Sequence, residues 1–481
     1  MTRQIRFNAF DMNCVAHQSS GMWRHPDDQA WRYKDLDYWL DLARLLERGR
    51  FDGLFIADVL GVYDVYAGSR DAAIRHAAQV PVGDPLLTVP AMAAVTEHLG
   101  FGITASTGFE HPYPFARRMS TLDHLTKGRV GWNVVTSYLE SGARNLGLPS
   151  HASHDERYDI ADEYLEVCFK LWEGSWEDDA VLRDKAAGVF ADPERVHPIE
   201  HDGRWFQVPG VHLCEPSRQR SPVIYQAGAS ARGRRFAGRH AEAIFTSGPT
   251  MEVIAPLVAG LREELEAAGR ERDDARVYTM ATVVVDATSR GAWAKHDELR
   301  AYGSDEAALV LLSGWTGLDL SGHDLDAPLT GGNEDAIQSA ATVFLGSNPD
   351  GQPWTLRDIT AWAGIGGRGP VFVGDPGGVA DEMQAWVDEA DVDGFNLAYA
   401  ITPGTFDDVV EHLVPELQRR GVHRTEYEDT SLRDRLFGGG DRLPDRHVGA
   451  TARRKLVLTR PRSLVARHAQ DVGRFATGGF G

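Results

Sequence analysis

Several features are scarce in this chain of 481 residues, and each absence excludes a class of protein. Its three cysteines, Cys14, Cys168 and Cys214, are too far apart for a disulfide framework or a zinc site, and we expect no bound metal. No apolar stretch approaches membrane-spanning length, and the first ten residues hold no signal-peptide core. The net charge of −20 makes nucleic acid an unexpected partner. These absences predict a cytoplasmic protein that neither enters a membrane nor binds nucleic acid.

What the chain does contain is a regular alternation of short β-type runs and amphipathic helical patterns. Strands that alternate with helices form a parallel sheet, and eight such units predict closure into a (β/α)8 TIM barrel, an α/β fold. No G-x-G-x-x-G motif follows the first strand, which disfavours an open dinucleotide-binding sheet. The first helix, 36–48, is expected to end on Gly49 in the left-handed conformation. The predicted strands are 5–10, 51–58, 99–106, 129–137, 222–228, 241–247, 277–285 and 392–400.

Two intervals exceed what a minimal barrel needs, and the chain also continues beyond the last predicted helix. The barrel domain is assigned to 1–437, with insertions at about 174–220 and 290–370. Long segments of this kind usually serve as lids or binding loops. Residues 438–481 are rich in Gly and Arg and are interpreted as an extended C-terminal arm. Such an arm either contacts a neighbouring subunit or is partly disordered.

Polar side chains follow the predicted strands, where a barrel concentrates its functional groups. Cys14 and His17 follow the first strand, Asp58 and Tyr63 the second, and His111 lies beyond the third. Each has an ordinary alternative, because most free cysteines are small buried apolar groups and most single histidines are structural. Their placement on one rim favours a ligand site. Further polar residues on the same rim are Thr104, Asn133, Ser137 and Tyr138.

The segment 226–235, QAGASARGRR, has the most explicit physical signal. A strand runs into a turn of small residues and then into the start of a helix, whose free N–H groups and dipole attract an anion. Ser230 and Arg232 could add hydrogen bonds, so the segment predicts a phosphate-bearing ligand. A tight β/α turn with a serine cap is an equally good interpretation of this segment taken alone.

Four long motifs then carry a family resemblance. They are NAFDMNCVAHQSSGMWRHP (8–26), EHPYPFARRMSTLDHLTKGRVGWNVVTS (110–137), HDERYDIADEYLEVCFKLWEGSWEDDAVLRD (154–184) and PVIYQAGASARGRRFA (222–237). With them the chain resembles the bacterial-luciferase-like flavin monooxygenases. The similar branch contains the monooxygenases of nitrilotriacetate, dibenzothiophene sulfone, long-chain alkanes and dimethylsulfide. The resemblance extends over roughly 3–440.

The resemblance implies a barrel that binds reduced FMN (FMNH₂) supplied by a separate NAD(P)H-dependent flavin reductase. It also implies reaction with O₂ through a flavin hydroperoxide, and a homodimer or homotetramer. Gly228, Ala229 and Ser230 would hold the flavin phosphate, and the substrate side would be formed by Cys14, His17, Tyr63, Gln79 and His111. The residues expected around the rest of the flavin are Asp58, Thr104, Ser137, His154 and Tyr158.

The sequence departs from its relatives on the substrate side. Tyr138 and Trp315 stand where some relatives look to have histidines, and a further histidine is missing near Leu311. His17 and Tyr138 are expected to donate to the oxidant or the substrate, with His17 the better proton-transfer candidate because a histidine titrates near neutral pH.

The substrate-side candidates Trp23, Phe109, Trp315 and Trp362 are apolar. They favour a small hydrophobic substrate, which could be an organosulfur compound, an alkane or a halogenated aromatic. Three alternatives stay open: a deazaflavin-dependent oxidoreductase on the same barrel, a flavin-binding protein without catalysis, and a metal-dependent hydrolase. The last is disfavoured, since no H-x-H follows the first strand.

Overall fold

The computed structural model describes residues 3–228, 230–326 and 354–453. Eight parallel strands close into a barrel, and each strand pairs with the next barrel strand along the chain until the last returns to the first. All eight strands predicted from the sequence are confirmed, and so is the TIM-barrel fold. In chain order the strands are β1 (Arg6–Met12), β2 (Gly53–Ala57), β3 (Gly100–Ser106), β4 (Val130–Val135), β5 (Val181–Asp184), β6 (Val189–Ala191), β7 (His201–Asp202), β8 (Gln207–Val208), β9 (Val223–Gln226), β10 (Ala243–Thr246), β11 (Arg276–Val285), β12 (Val371–Gly374) and β13 (Gly394–Ala398).

The barrel itself consists of β1–β4, β9–β11 and β13, and β12 is an addition that the sequence did not predict. Strand β11 is ten residues long, so its first half pairs within the barrel while its second half pairs with β12. The barrel strands are buried on both faces, because side chains fill the inside and helices cover the outside. This explains why they appear as continuous apolar runs rather than as alternating ones.

The helices pack around the barrel, and several begin at a side chain that caps their free N–H groups. Ser230, Ser304 and Asp375 each accept a hydrogen bond from the backbone three residues ahead. In chain order the helices are α1 (Leu36–Arg48), α2 (Asp71–Arg75), α3 (Val89–Ala94), α4 (Pro112–Leu125), α5 (Glu140–Asn145), α6 (His154–Phe169), α7 (Ala231–His240), α8 (Met251–Ala267), α9 (Ser289–Tyr302), α10 (Asp305–Thr316), α11 (Leu356–Gly366), α12 (Pro376–Glu389), α13 (Gly404–Asp408), α14 (Val414–Arg419) and α15 (Leu432–Phe437).

Helix α1 has the predicted bounds, but the expected role of Gly49 is wrong. Gly49 has φ −75°, and the left-handed residue is its neighbour Arg50 with φ 59°. A Cβ on Gly49 would lie 2.5 Å from a methyl group of Val410. Gly49 is therefore required by close packing against a neighbouring helical segment, not by its backbone conformation.

The amino-terminal end of the barrel is closed by α15. Its Leu432 and Leu436 are buried against barrel-interior side chains that include Tyr225 and Tyr278. Beside them, the buried Arg433 donates to both carboxylate oxygens of Glu242, at 2.6 and 2.8 Å. The barrel interior is therefore filled with protein at this end, and it opens into a large cavity at the carboxyl-terminal end.

The insertion at 174–220 is not a lid. It forms two small hairpins, β5–β6 and β7–β8, that pack on the outside of α4 and α6. Glu163 of α6 accepts hydrogen bonds from the backbone of Trp205 and Phe206, and none of residues 174–220 lines the central cavity.

The second interval, 290–370, is largely helical in its described part. Helices α9, α10 and α11 fall within or just before it, and residues 327–353 lie outside the described residues. Trp315 of α10 and Arg368, which follows α11, reach the cavity. This insertion therefore contributes to the ligand site, as expected for a binding segment.

Residues 438–453 do not form an arm that leaves the barrel. They turn back onto their own domain, where Arg446 pairs with Asp274 and Arg453 donates to Glu173 at 2.8 Å. The buried His447 contacts the carbonyl oxygen of His240 at 2.9 Å. The segment stays on its own domain because two of its arginines meet acidic groups of the barrel exterior. The predicted arm beyond residue 453 lies outside the described residues.

Candidate active site

A cavity of about 750 Å³ opens at the carboxyl-terminal ends of the barrel strands. Its volume falls in the range of roughly 300–1,000 Å³ that is typical of small-molecule sites. Six barrel strands contribute a lining residue at or near their ends: Met12, Ala57, Thr104, Val135, Gln226 and Thr246.

One wall of the cavity is the start of α7, where the sequence predicted a phosphate. Ser230 caps this ten-residue helix by accepting from Gly233 N at 3.0 Å, and its hydroxyl is 3.3 Å from His154 Nε2. Arg157 and Arg234 line the same cavity. The helix start and these basic side chains form an anion-binding wall.

At this wall the neighbours of Gly228 are so close that residue 228 has no room for a Cβ atom. A Cβ there would lie 2.3 Å from Gln226 Nε2 and 2.6 Å from the Tyr158 hydroxyl. The equivalent atom on Gly233 would also meet that hydroxyl, at 2.8 Å. The two glycines therefore let the backbone of the turn approach α6 closely, and they open the turn toward the cavity.

A second part of the lining comes from β3 and β4. Thr104 Oγ1 accepts from Asn133 Nδ2 at 2.9 Å, and Asn133 Oδ1 has no partner among the described residues although it is buried. Ser137 has φ 61° and donates to Ser106 Oγ at 2.8 Å. A non-glycine residue in this conformation costs free energy and is typical of ligand sites.

A polar cluster forms a separate wall. The Tyr63 and Tyr138 hydroxyls are 2.5 Å apart, and Tyr63 donates to Gln79 Oε1 at 3.0 Å. Trp315 Nε1 donates to the Tyr63 oxygen at 3.2 Å, which links helix α10 to this cluster. His17 is held by Gln18, whose Nε2 lies 3.0 Å from its Nε2. All six of these side chains line the cavity.

Burial sets the charge of two groups in the cavity. It lowers the pKa of His17 to about 3, and His17 Nδ1 has no partner among the described residues. Burial also raises the pKa of Asp58 to about 7, with a smaller contribution from the charge of Asp84. His17 is therefore neutral near pH 7 and cannot supply a proton as an imidazolium, contrary to the expectation from its ordinary pKa.

The structure brings most of the predicted site residues into this one cavity and leaves three outside it or undescribed. Cys14, His111 and Ala229 are the three. The predicted residues that line the cavity are His17, Asp58, Tyr63, Gln79, Thr104, Ser137, Tyr138, His154, Tyr158, Gly228 and Ser230.

Cys14 is buried behind the cavity wall, where its backbone forms a β-bridge with Val82. Burial raises the pKa of its thiol well above the ordinary value, so it is an inert thiol. His111 caps α4 by accepting from Tyr113 N at 3.3 Å and is exposed on the outside of the barrel. Neither Cys14 nor His111 lines the cavity, and Ala229 lies outside the described residues.

The predicted apolar pocket residues divide in the same way. Phe109 and Trp315 line the cavity, whereas Trp23 is 40% exposed and Trp362 packs edge-on against Trp354. Leu311 is buried among the helices that surround Tyr63 and does not reach the cavity.

Sequence reasoning missed three basic residues of the cavity. Arg157 lies one turn after His154 on α6, and Arg234 lies one turn after the capping Ser230. That helical spacing could have identified both. Arg368 stands in the glycine-rich segment GIGGRGP, where a charged residue between glycines and apolar residues is a detectable signal.

Two kinds of feature are absent from the described ranges. No group of three or more His, Cys, Asp or Glu side chains there is arranged to hold a metal ion. No helix in the same ranges is long and apolar enough to cross a membrane.

Comparison with known proteins identifies the family. Residues 9–394 match the luciferase-like monooxygenases. The chain is 53% identical over 454 residues to dimethyl-sulfide monooxygenase of Hyphomicrobium sulfonivorans, covering 94% of each chain. It is 50% identical over 457 residues to long-chain alkane monooxygenase of Geobacillus thermodenitrificans, covering 94% of this chain and 99% of that one.

Solved structures agree with this. The crystal structure of DmoA from Hyphomicrobium sulfonivorans superimposes with a TM-score of 0.89 at 51% identity, over 96% of this chain and 100% of that one. A riboflavin lyase crystallised with modified FMN and riboflavin superimposes with a TM-score of 0.87 at 38% identity, over 94% and 100%. The barrel, the cavity and these matches agree, and the chain belongs to the luciferase-like monooxygenase family as a flavin-dependent monooxygenase.

Proposed function

We propose that this enzyme binds FMNH₂ from a separate NAD(P)H-dependent flavin reductase and uses it with O₂ to oxidise a small organic compound with an apolar body. The observation that carries the proposal is the anion-binding wall at Ser230 and Gly228, which stands in the same cavity as the Tyr63–Tyr138 cluster. The wall can bind the phosphate of the flavin. The hydroxyls of the cluster can donate hydrogen bonds to a substrate in the same cavity.

The residues present fit FMN. The turn at Gly228 admits no Cβ, and Ser230 with the start of α7 offers hydrogen-bond donors to phosphate oxygens. Arg157 and Arg234 add positive charge to this wall of the cavity. Asn133 Oδ1 and His17 Nδ1 have no partner among the described residues, and each could form a hydrogen bond with the polar edge of the flavin ring. When bound, reduced FMN supplies the reaction with O₂, and the protein's part is to position and protect it.

Tyr138 is the group that we expect to act on the reacting atoms. Tyr63 donates its hydroxyl proton to Gln79 Oε1, while the Tyr138 oxygen lies 2.5 Å away. If Tyr63 turns its proton toward Tyr138, the Tyr138 hydroxyl is released to donate into the cavity. Burial raises the pKa of both tyrosines, so both stay protonated at neutral pH.

The remaining cavity residues are expected to bind the ligands and not to transfer protons. His17, being neutral, is a hydrogen-bonding group rather than an acid. The apolar body of the substrate is expected to lie against Phe109 and Leu139, which also line the cavity. An alkyl sulfide, an alkane or a chlorinated aromatic would meet this requirement. We also propose a cytoplasmic homodimer or homotetramer, on the family resemblance alone.

The test is oxygen uptake with FMN, NADH, a flavin reductase and a panel of the three substrate classes. We expect one class to give an oxygenated product in proportion to the oxygen consumed. Replacing FMN by riboflavin should lower the rate at least about 10-fold, because the phosphate contacts are lost. Turnover that needs no oxygen and proceeds with a deazaflavin would favour the alternative oxidoreductase instead.

A further inference from the structure

Arg368 lines the cavity on the wall formed by the Tyr63–Tyr138 cluster, and the proposed function gives it no role so far. Its guanidinium carbon lies 4.8 Å from the centre of the Trp315 ring. The nearest ionisable groups that act on its charge are the hydroxyls of Tyr63 and Tyr138. Arg368 therefore belongs to the substrate side of the cavity.

The backbone around Arg368 is fixed by its neighbours. Gly367 ends α11 with φ 64°, and a Cβ there would lie 2.7 Å from both Gln18 Oε1 and Met280 Cε. A Cβ on Gly369 would lie 2.4 Å from the Met280 carbonyl oxygen. The next residue, Pro370, accepts from Thr282 N at 2.9 Å and begins the pairing of β12. Close packing on β11 thus determines the position of the Arg368 backbone, from which the side chain extends to the cavity.

Arg368 reaches the cavity with no counter-charge among the described residues, in contrast to two arginines that are paired elsewhere in the fold. Arg433 pairs with Glu242, and Arg262 pairs with Asp393 at 2.7 Å. Among the described residues no carboxylate lies within ion-pair distance of Arg368, and its Nε is buried without a hydrogen-bond acceptor. Burial lowers the pKa of this guanidinium below its ordinary value. Burying a charge without a partner costs free energy, and an anionic ligand would offset that cost.

The stacked position suits recognition of an oxyanion. A guanidinium on the face of an aromatic ring keeps its in-plane N–H groups free for two parallel hydrogen bonds to a carboxylate or sulfonate. The net charge of −20 repels anions from the protein as a whole. A local cation is therefore needed if an anion is to enter the cavity.

We propose that Arg368 binds a carboxylate or sulfonate group at one end of the substrate, whose other, apolar end carries the atom that is oxidised. This rests on the proposed function and narrows its substrate class to amphiphilic organic anions. A purely apolar compound would leave the guanidinium buried without a partner, so it is expected to be a poorer substrate. The second end of such a molecule would meet Phe109 and Leu139.

The test compares two compounds that differ only in charge, 3-(methylthio)propanoate and 3-(methylthio)propan-1-ol. Binding is measured by calorimetry on the full chain saturated with oxidised FMN, so that the phosphate wall is already filled. We expect the wild-type protein to bind the acid at least about 30-fold more tightly than the alcohol. Arg368→Met should abolish that preference. Arg368→Lys should keep part of it, since lysine retains the charge but not the two parallel N–H donors of a guanidinium.

Arg204 provides a matched control. It also stacks on a tryptophan, with its guanidinium carbon 4.6 Å from the centre of the Trp205 ring, but its side chain is 71% exposed and lies outside the cavity. Arg204→Met should leave the preference for the acid unchanged. Thermal unfolding of each variant confirms that the fold is intact before binding is interpreted.

The outcomes separate this inference from the function on which it rests. It is overturned if the wild-type protein shows no preference for the acid, or if Arg368→Met retains the preference. A loss of FMN binding in Arg368→Met with an unchanged preference would assign the arginine to the flavin instead. If the charge preference depends on Arg368 but neither compound supports oxygen uptake with FMNH₂, the anion site stands and the proposed reaction is wrong.

Discussion

Asp52 and Asp58 flank the same strand, β2, and carry the same side chain in opposite surroundings. At the amino-terminal end, burial acts to raise the pKa of Asp52, but the charges of Arg424, Arg6 and Arg435 outweigh it and hold the pKa below its ordinary value. At the cavity, burial raises the pKa of Asp58 to about 7 because no cation compensates it. One carboxyl group is held as an anion and the other gains protons near neutral pH.

A similar difference is found between further charged groups at the two ends of the barrel. At the closed end, Arg433 meets Glu242 and Asp52 meets Arg6 and Arg424, so these buried charges have protein partners. At the open end, Arg368 has no such partner among the described residues. Paired buried charges hold the fold together, whereas those left without a partner indicate where a ligand supplies what the protein lacks.

The largest expected effect is at the closed end. Asp52→Asn removes the anion on which Arg6 and Arg424 converge and leaves buried positive charge without compensation. We expect the free energy of unfolding to fall by roughly 3–5 kcal/mol, the usual result of breaking a buried pair from one side. Urea unfolding followed by far-UV circular dichroism at pH 7.5 measures it.

Asp58→Asn is the control for that measurement, because it makes the same change at the other end of β2. It should unfold at the same urea concentration as the wild-type protein or at a higher one. Equal losses of stability in the two variants would mean that the two ends of the barrel do not differ in the way described.

A change at the anion-binding wall should affect ligand binding more than stability. The added methyl group of Gly228→Ala would collide with Gln226 Nε2 and the Tyr158 hydroxyl, so the turn or these two cavity-lining side chains must shift. We expect the FMN dissociation constant to rise about 10-fold or more, which corresponds to roughly 1.4 kcal/mol. Quenching of flavin fluorescence measures it.

Gly210→Ala is the matched control for this variant, since a Cβ there meets nothing within 4 Å. It should bind FMN as the wild-type protein does. If both variants bind FMN normally, the turn at Gly228 is not where the phosphate sits.

A third expected effect is a pH dependence of stability. The native pKa of Asp58, about 7, is above its ordinary value, so its contribution to stability is fully present below about pH 4 and is lost as the pH rises through 7. Asp58→Asn lacks this loss. Its free energy of unfolding relative to wild type should therefore rise by up to roughly 2–3 kcal/mol between pH 5 and pH 8.

Urea titrations of both proteins at pH 5, 6, 7 and 8 provide the comparison. A difference that stays constant over this range would show that Asp58 titrates as an ordinary carboxyl group. The contrast between the two ends of β2 would then rest on Asp52 alone.

Much of the fold was predictable because its signals are local. The eight barrel strands appear as apolar runs between amphipathic helices, and helix α1 has the bounds that its periodicity predicts. The hairpins β5–β8 and strand β12 were missed, because strands of two to four residues on the surface carry too little apolar pattern to be detected. The return of 438–453 onto the barrel depends on ion pairs with residues far away in sequence.

The sequence predicted which residues follow the barrel strands, but not which of their side chains enter the cavity. Following the strands to their ends leads to His17, Asp58 and Tyr138, but the direction in which a loop residue points is not local information. Cys14 therefore turned out to lie behind the wall and His111 outside the barrel. Arg368 stands more than 350 residues after His17 along the chain, so only the closed barrel brings the two into one cavity.

The sequence by itself determined the barrel, the family and the turn before α7, since each depends on a short stretch of periodicity, motif or helix start. Only the tertiary structure decided the charge of the buried ionisable groups. Asp52 and Asp58 are six residues apart and chemically identical, and nothing near them in sequence separates their pKa values. Burial acts to raise both pKa values, and the difference comes from Arg6, Arg424 and Arg435, which the fold brings to one end of β2 and not to the other.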